Sequence, residues 1–305
     1  MKISSYNEWD PLREIVVGTA TNANWPGTDP VYQSEKDTTL WKETPLPAGP
    51  VPEWIIEEAN QDLDILSATL NRLGVQVHRP HDMDFPALQG MYNYCPRDRL
   101  LIAGDVIVDT AMKYPCRDME IQALAHVTDH NTVLTMPKDT GMILDAANIC
   151  LLGDTWLYLE SSSGNRAAAV WLQAQFPEIQ IELCNFYAGV HIDSTVVPLR
   201  EGLVMLNSSR VNENNCPQVF KTWDKIYVDD VVPQGFYQYP YASKWIAMNM
   251  LVVDPHTVIV DRYQTDLIRK LEQWSFTVIP LELRHSRTLG GGFHCVTLDT
   301  WREHD

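Results

Sequence analysis

The sequence predicts an α/β fold of five repeated units that close on themselves as a propeller. Two observations carry this expectation. Apolar hairpins recur with turns beginning at residues 104, 153, 201 and 254, so the spacings are 49, 48 and 53 residues. A fixed period near fifty is the mark of a repeat architecture. In addition, each chain end holds a strand that belongs to no complete unit. An ordinary open α/β sheet is the rival, but pairing the end strands would remove exposed sheet edges.

In chain order, Arg13–Gly18 reads as a strand, 53–73 as a helix and Val75–His78 as a strand. The first hairpin is Leu100–Ala103, Gly104-Asp105, Val106–Val108. The second is Ile149–Leu152, Gly153-Asp154, Thr155–Tyr158. Gly-Asp between apolar runs is a hairpin signal. The third hairpin turns at Glu201-Gly202, between Thr195–Val197 and Leu203–Leu206, and the fourth at Asp254-Pro255-His256, between Met250–Val253 and Thr257–Val260. Helical stretches follow, as at Asn165–Gln175 and Thr265–Glu272, and then strands, as at Ile179–Leu183 and Phe276–Pro280. Each unit therefore reads hairpin, helix, strand. The fifth unit joins Arg13–Gly18, helix 53–73 and Val75–His78 to a strand Cys295–Leu298. No Ser/Gly-rich linker or charge block interrupts the chain, so residues 1–305 read as a single domain.

Composition narrows the partners. The chain is 45% hydrophobic with ten Trp and twelve Tyr, ample for a packed core, and its formal charge is −17. That charge argues against nucleic acid and anionic membrane, which need a Lys/Arg surplus, and is compatible with a small cationic substrate. The start Met1–Tyr6 lacks the apolar stretch of a signal peptide, and no apolar run reaches spanning length. Six scattered cysteines without a Cys-x-x-Cys pair fit reduced thiols in the cytoplasm. His126 and His130 share an i, i+4 spacing, yet no Glu follows the first and no further ligand pattern appears, so no metal is expected.

The chemistry gathers around Gly290-Gly291-Gly292-Phe293-His294-Cys295. Glycines permit unusual backbone conformations and close approach, and a thiol delivered on such a hinge is either a nucleophile or a buried structural cysteine. The acids before the hairpins favour the first. Asp98 lies six residues before Gly104, Asp145 eight before Gly153, and Asp193 eight before Glu201, with His191 two residues further upstream. In a pseudo-symmetric ring such matched offsets converge, and residues i and i+2 of a strand share a face. Carboxylates can grip a planar guanidinium, a thiolate can attack its carbon, and an imidazole can shuttle the amine protons.

These residues resemble the amidinotransferase family of the guanidino-group-modifying superfamily. The similarity begins at Ser4-Ser5-Tyr6-Asn7-Glu8-Trp9-Asp10-Pro11-Leu12 and Glu14–Gly18. It continues through Pro96-Arg97-Asp98, Asp145-Ala146-Ala147, His191-Ile192-Asp193, Ser243-Lys244-Trp245 and Met248-Asn249, and ends at Leu289–Cys295. The resemblance implies a five-bladed αβ-propeller of the pentein type. It implies that Cys295 attacks the guanidinium carbon of arginine, giving an amidino-cysteine and ornithine, before an acceptor amine takes the amidino group. His191 would be the general acid and base. Asp145 would belong to the catalytic set and, with Asp193, hold the guanidinium, assisted by Asp98. Arg210 would pair with a substrate carboxylate, and Ser243 would add a contact.

Glycine is the expected acceptor, giving guanidinoacetate, although the departures from the family concern the acceptor side. The segment Asn185–Val190 lacks the Asn-Pro-Met of glycine-using relatives, Ala242 replaces the first serine of Ser-Ser-Lys-Trp, and the stretch from Met112 to Asp145 is short. Another amino acid, a diamine or an aminocyclitol is the alternative acceptor. A deiminase-like hydrolase and a catalytically silent binding propeller are the competing classes. The expected partners are small molecules and a second copy in a homodimer. No organic cofactor is expected, because the nucleophile is a side chain and no redox step occurs.

Overall fold

The computed structural model describes residues 1–36, 44–187 and 189–304. Among them are five three-stranded sheets and one two-stranded sheet, Asn24–Pro26 with Ala48–Pro50. Each three-stranded sheet repeats one pattern, an antiparallel pair with a third strand added in parallel.

The first sheet joins both ends of the chain. Leu12–Val17 lies between Thr297–Arg302, antiparallel, and Gln76–His78, parallel. The four hairpins are Leu100–Ala103 with Val106–Asp109, Ile149–Leu151 with Thr155–Leu159, Val196–Arg200 with Leu203–Asn207, and Leu251–Asp254 with Thr257–Asp261. Their added strands are Val133–Thr135, Gln180–Cys184, Asp224–Val228 and Thr277–Leu281. The hairpin strands are buried almost throughout, as expected of apolar runs covered on both faces, whereas the added strands are largely partly exposed. Gly104 and Gly153 take left-handed φ values of 60° and 81° at their turns, which is why glycine stands there.

The hairpins and the pairing of the two ends follow the sequence pattern, and the crossovers follow it in three units. Glu53–Arg72 turns Ile55, Ile56, Ala59, Leu63, Leu66 and Leu70 inwards at helical spacing. Arg166–Gln175 starts at Asn165, whose side chain accepts the Ala168 amide at 3.1 Å. Thr265–Gln273 buries Leu267 and Leu271. In the unit after Asp109 the crossover is split into Glu120–Ala123 and Ala125–Thr128. Before Asp224–Val228 it is reduced to the 3-10 turn Gln218–Thr222, which corrects the expectation of a helix in every unit. The side chains of Asn212 and Asn215 bond locally to backbone there and Pro217 follows, so the segment turns instead of winding.

Apolar clusters link each sheet to the next in chain order. Val16 and Leu298 pack with Leu100 and Ile102, and Leu101 and Val108 with Trp156 and Tyr158. Leu157 and Leu159 share a cluster with Val204, which also contains Val252 and Val258. Ile15 and Leu70 pack with Leu251 and Ile259, so the last hairpin also contacts the first sheet. The sheets remain separate and do not merge into one closed sheet. Among the described residues, no helix is long and apolar enough to cross a membrane.

Candidate active site

Most of the predicted site residues sit on the turns that enter the hairpins, whereas Arg210 follows the strand Leu203–Asn207. Asp98 closes the 3-10 turn Pro96–Asp98 before Leu100, and Asp145 precedes the 3-10 turn Ala146–Asn148 before Ile149. Ile192 donates its amide to the Ala147 carbonyl at 3.0 Å, which ties the His191–Asp193 turn to the Asp145 turn. His191 itself has a left-handed φ of 53°, an uncommon conformation for a residue with a Cβ.

Cys295 lies in the turn just before Thr297–Arg302, so the run read as Cys295–Leu298 becomes strand only from Thr297. The reason is visible in its backbone. Asn249 Oδ1 accepts the amides of His294 at 2.9 Å and Cys295 at 3.0 Å, bonds that a ladder would otherwise need. The three glycines serve different ends. Gly290 has φ +80°, while a Cβ on Gly291 would meet Cys95 Sγ at 2.5 Å and one on Gly292 would meet the Asn249 Cβ at 2.6 Å. The last two therefore permit close packing on protein atoms.

The structure brings Cys295, His191, Asp193, Arg210 and Ser243 to the walls of one cavity of about 250 Å³. Asp145 and Asp98 reach it from behind. His191 Nε2 lies 3.2 Å from Asp145 Oδ2, and its Nδ1 lies 3.6 Å from Asp98 Oδ1. Burial alone would lower the imidazole's pKa, but the Asp98 charge and the Asp145 hydrogen bond outweigh it and raise it to about 9. Asp145 Oδ1 also accepts the Lys113 amide at 3.1 Å, and Arg117 holds Asp98 Oδ2 at 2.7 Å.

The thiol of Cys295 donates to Asp193 Oδ2 at 3.2 Å. Burial, then the negative charges of Asp193 and Asp98, push that thiol well above its ordinary range. Burial would raise Asp193 as well, yet its bond from His294 and the nearby imidazoles leave its carboxyl well below the usual range. The resting site thus holds a neutral thiol against a firmly ionised acid. A cation placed between the acids would cancel the repulsion that keeps the proton on sulfur.

Across the cavity, Arg210 donates to Thr195 Oγ1 at 2.7 Å and Ser194 Oγ at 3.3 Å, and its guanidinium sits 4.0 Å from the Tyr187 ring centroid. Among the described residues no carboxylate pairs with it, so its charge is available to an anion. Ser243 caps the 3-10 turn Lys244–Met248, accepting the Trp245 amide at 3.3 Å. In the neighbouring segment Asn185–Val190, Ala188 lies outside the described residues. Donor atoms of Asp98, His191 and Cys295 lie within 4.8 Å of one another, a spacing open to a small cation.

Sequence reasoning missed Glu8, His294, Asn249 and Arg117 as contributors. Glu8 and Asn249 stand inside the quoted motifs and His294 adjoins Cys295, so their positions were in view. Only the folded contacts reveal their partners. Arg117 carries no such signal, because its partner Asp98 lies 19 residues away.

No protein-family model matches the chain. Inosamine-phosphate amidinotransferase 1 of Streptomyces griseus is 40% identical over 98% of this chain and 97% of its own. The mitochondrial glycine amidinotransferase of Xenopus tropicalis is 27% identical over 98% of this chain and 83% of its own. The solved structure of the Streptomyces griseus inosamine-phosphate amidinotransferase superposes with a TM-score of 0.92 at 38% identity, covering 99% of this chain and 97% of that one. The protein is thus an α/β enzyme of the pentein fold. It belongs to the amidinotransferase family.

Proposed function

We propose that this enzyme moves the amidino group of L-arginine, through an amidino-Cys295 intermediate, to the amine of a phosphorylated aminocyclitol. The observation that carries the chemistry is the single cavity with the Cys295 thiol and His191 on one wall and the uncommitted Arg210 guanidinium on another. Glycine, the first acceptor expected, is not supported by the comparisons, and they favour the aminocyclitol alternative. Identity to the inosamine-phosphate enzyme is 40% across nearly all of both chains, against 27% to the glycine enzyme. The five linked sheets form the blades of a propeller whose entering turns supply the site.

The steps follow from the groups present. Arginine's guanidinium enters between Asp98 and Asp193, with its carboxylate on Arg210 and Ser243. The guanidinium offsets the acids, the thiol releases its proton to solvent, and the thiolate attacks the guanidine carbon. The bond from that carbon to the ornithine nitrogen breaks as His191, already an imidazolium below about pH 9, protonates the leaving amine. Asp145 holds the His191 ring in place for this transfer. Now neutral, His191 takes a proton from the acceptor amine as it attacks the amidino carbon. The C–S bond breaks, and Cys295 leaves as thiolate.

Incubation with arginine labelled in the guanidino carbon and a panel of aminocyclitol phosphates, lysine, a diamine and glycine tests the acceptor. The aminocyclitol phosphate should take the label fastest by mass spectrometry. Faster labelling of glycine overturns that acceptor, and rapid citrulline release without any amine overturns transfer altogether.

A further inference from the structure

Behind the nucleophile, Asp193 leads into a buried pair, His294 and Glu8, that the reaction steps above do not use. Asp193 Oδ2, which accepts the Cys295 thiol, also contacts His294 Nδ1 at 2.9 Å. The other ring nitrogen of His294 lies 3.1 Å from Glu8 Oε2. Both ring nitrogens therefore face carboxylates, and an imidazole can donate to both only when it is protonated. Glu8 is fixed in turn, since its Oε1 accepts the Leu151 amide at 3.1 Å and Arg97 Nη1 approaches its Oε2 at 3.9 Å. Arg97 also donates from Nε to the His294 carbonyl at 2.8 Å and pairs with Asp299, which tightens the whole turn.

We propose that Glu8 and His294 are positioning residues for the nucleophile: Glu8 holds His294 as an imidazolium against Asp193 Oδ2, and this fixed charge sets how readily Cys295 ionises. The idea rests on the reading of Cys295 as nucleophile. The groups that face this pair come from every element packed around it. Glu8 lies on the N-terminal segment, Cys150 on the first strand of the third sheet, and Cys95, Arg97 and Asp98 on the turn before the second sheet. Asp193 and His191 lie on the turn before the fourth sheet, and Asp299 lies on the last strand. Burial and Arg97 press His294 towards neutrality, and the two carboxylates outweigh them. Asp193 then presents to the thiol a carboxylate already balanced by a cation. Without that cation its full negative charge would oppose a thiolate 3.2 Å away.

The test needs no substrate. Alkylation of Cys295 by iodoacetamide, followed across pH by peptide mass spectrometry, reads its ionisation in the full chain. In Glu8→Gln the amide keeps the size and an acceptor for Leu151 but loses the charge that holds His294 protonated. The alkylation midpoint should rise by about one pH unit, the lower end of the effect of an opposite charge within 4–6 Å. His294→Asn should shift it in the same direction, and Glu8→Asp, which keeps the charge, should restore part of the shift. A role confined to folding would lower the melting temperature of these variants and leave the midpoint where it is in the wild type. Coincident midpoints in Glu8→Gln, His294→Asn and wild type overturn the proposal. Arginine turnover surviving in Cys295→Ala would instead overturn the assignment of the nucleophile, a separate outcome.

Discussion

Replacing Asp145 by Asn isolates the charge that holds His191 protonated. In the native site the Asp145 carboxylate lies 3.2 Å from Nε2, and with Asp98 it brings the imidazole to about 9. The amide keeps the shape, and its oxygen can still accept the Lys113 amide. An opposite charge at such range is worth about 1–3 pKa units. A loss of about 2 units would put His191 near 7. At pH 8 the imidazolium fraction would then fall from about nine-tenths to about one-tenth, a roughly tenfold loss in the step that protonates the leaving amine. At pH 6 both proteins would be protonated there, and the difference would nearly vanish.

Stability carries the same sign. Because the folded pKa is raised above the ordinary 6.5, the stabilisation is full below 6.5 and is lost as pH climbs through about 9. A shift of that size corresponds to roughly 3 kcal/mol. The assay is kcat for amine release from arginine at saturating acceptor from pH 5.5 to 10, with denaturant unfolding at pH 6 and pH 9.5. Asp145→Asn should move the basic limb of the kcat profile downward. Its stability should also depend less on pH between 6.5 and 9 than the wild type's does. A basic limb that stays in place in the variant would refute the coupling between Asp145 and His191.

Three further outcomes follow from the same geometry. Cys295→Ala should abolish ornithine release while leaving the melting temperature near that of the wild type, as checked by amino-acid analysis and calorimetry. Arg210→Gln should raise KM for arginine about ten- to hundredfold with a smaller change in kcat, in line with about 1.5–3 kcal/mol for a hydrogen bond to a charged group; an unchanged KM would remove Arg210 from the donor site. Gly291→Ala places a methyl 2.5 Å from Cys95 Sγ, so it should destabilise the fold by about 1–3 kcal/mol in urea unfolding. The double variant with Cys95→Ala should recover much of that loss, because the clash is with the sulfur.

Much of the architecture could be read from the chain because hairpins announce themselves locally. Gly104 and Gly153 mark turns at a regular interval, and the apolar runs beside them have no solvent face. The pairing of Leu12–Val17 with Thr297–Arg302 was accessible for the complementary reason that each end lacked a partner nearby. The crossover before Asp224–Val228 escaped because an expected repeat overrode local chemistry, with Asn side chains and Pro217 dictating a turn.

The site divided along similar lines. Offsets before the hairpins located Asp98, Asp145, His191 and Asp193, but offsets do not say which group touches which. Asp145, expected on the guanidinium, is bonded to His191 and the Lys113 amide. Gly291 and Gly292 make room for Cys95 and Asn249, whereas Gly290 turns the chain at the cavity wall. Contacts such as Glu8 to His294 join residues 286 apart in sequence, and no local pattern records them.

The central claim is that the amidino group travels on Cys295. Enzyme mixed with labelled arginine in the absence of any acceptor, quenched in acid and digested, should yield a peptide containing Cys295 that carries one labelled amidino group. About one equivalent of ornithine should be released per modified site. An unmodified Cys295 peptide alongside continuing turnover, or a label found on another residue, would contradict the account.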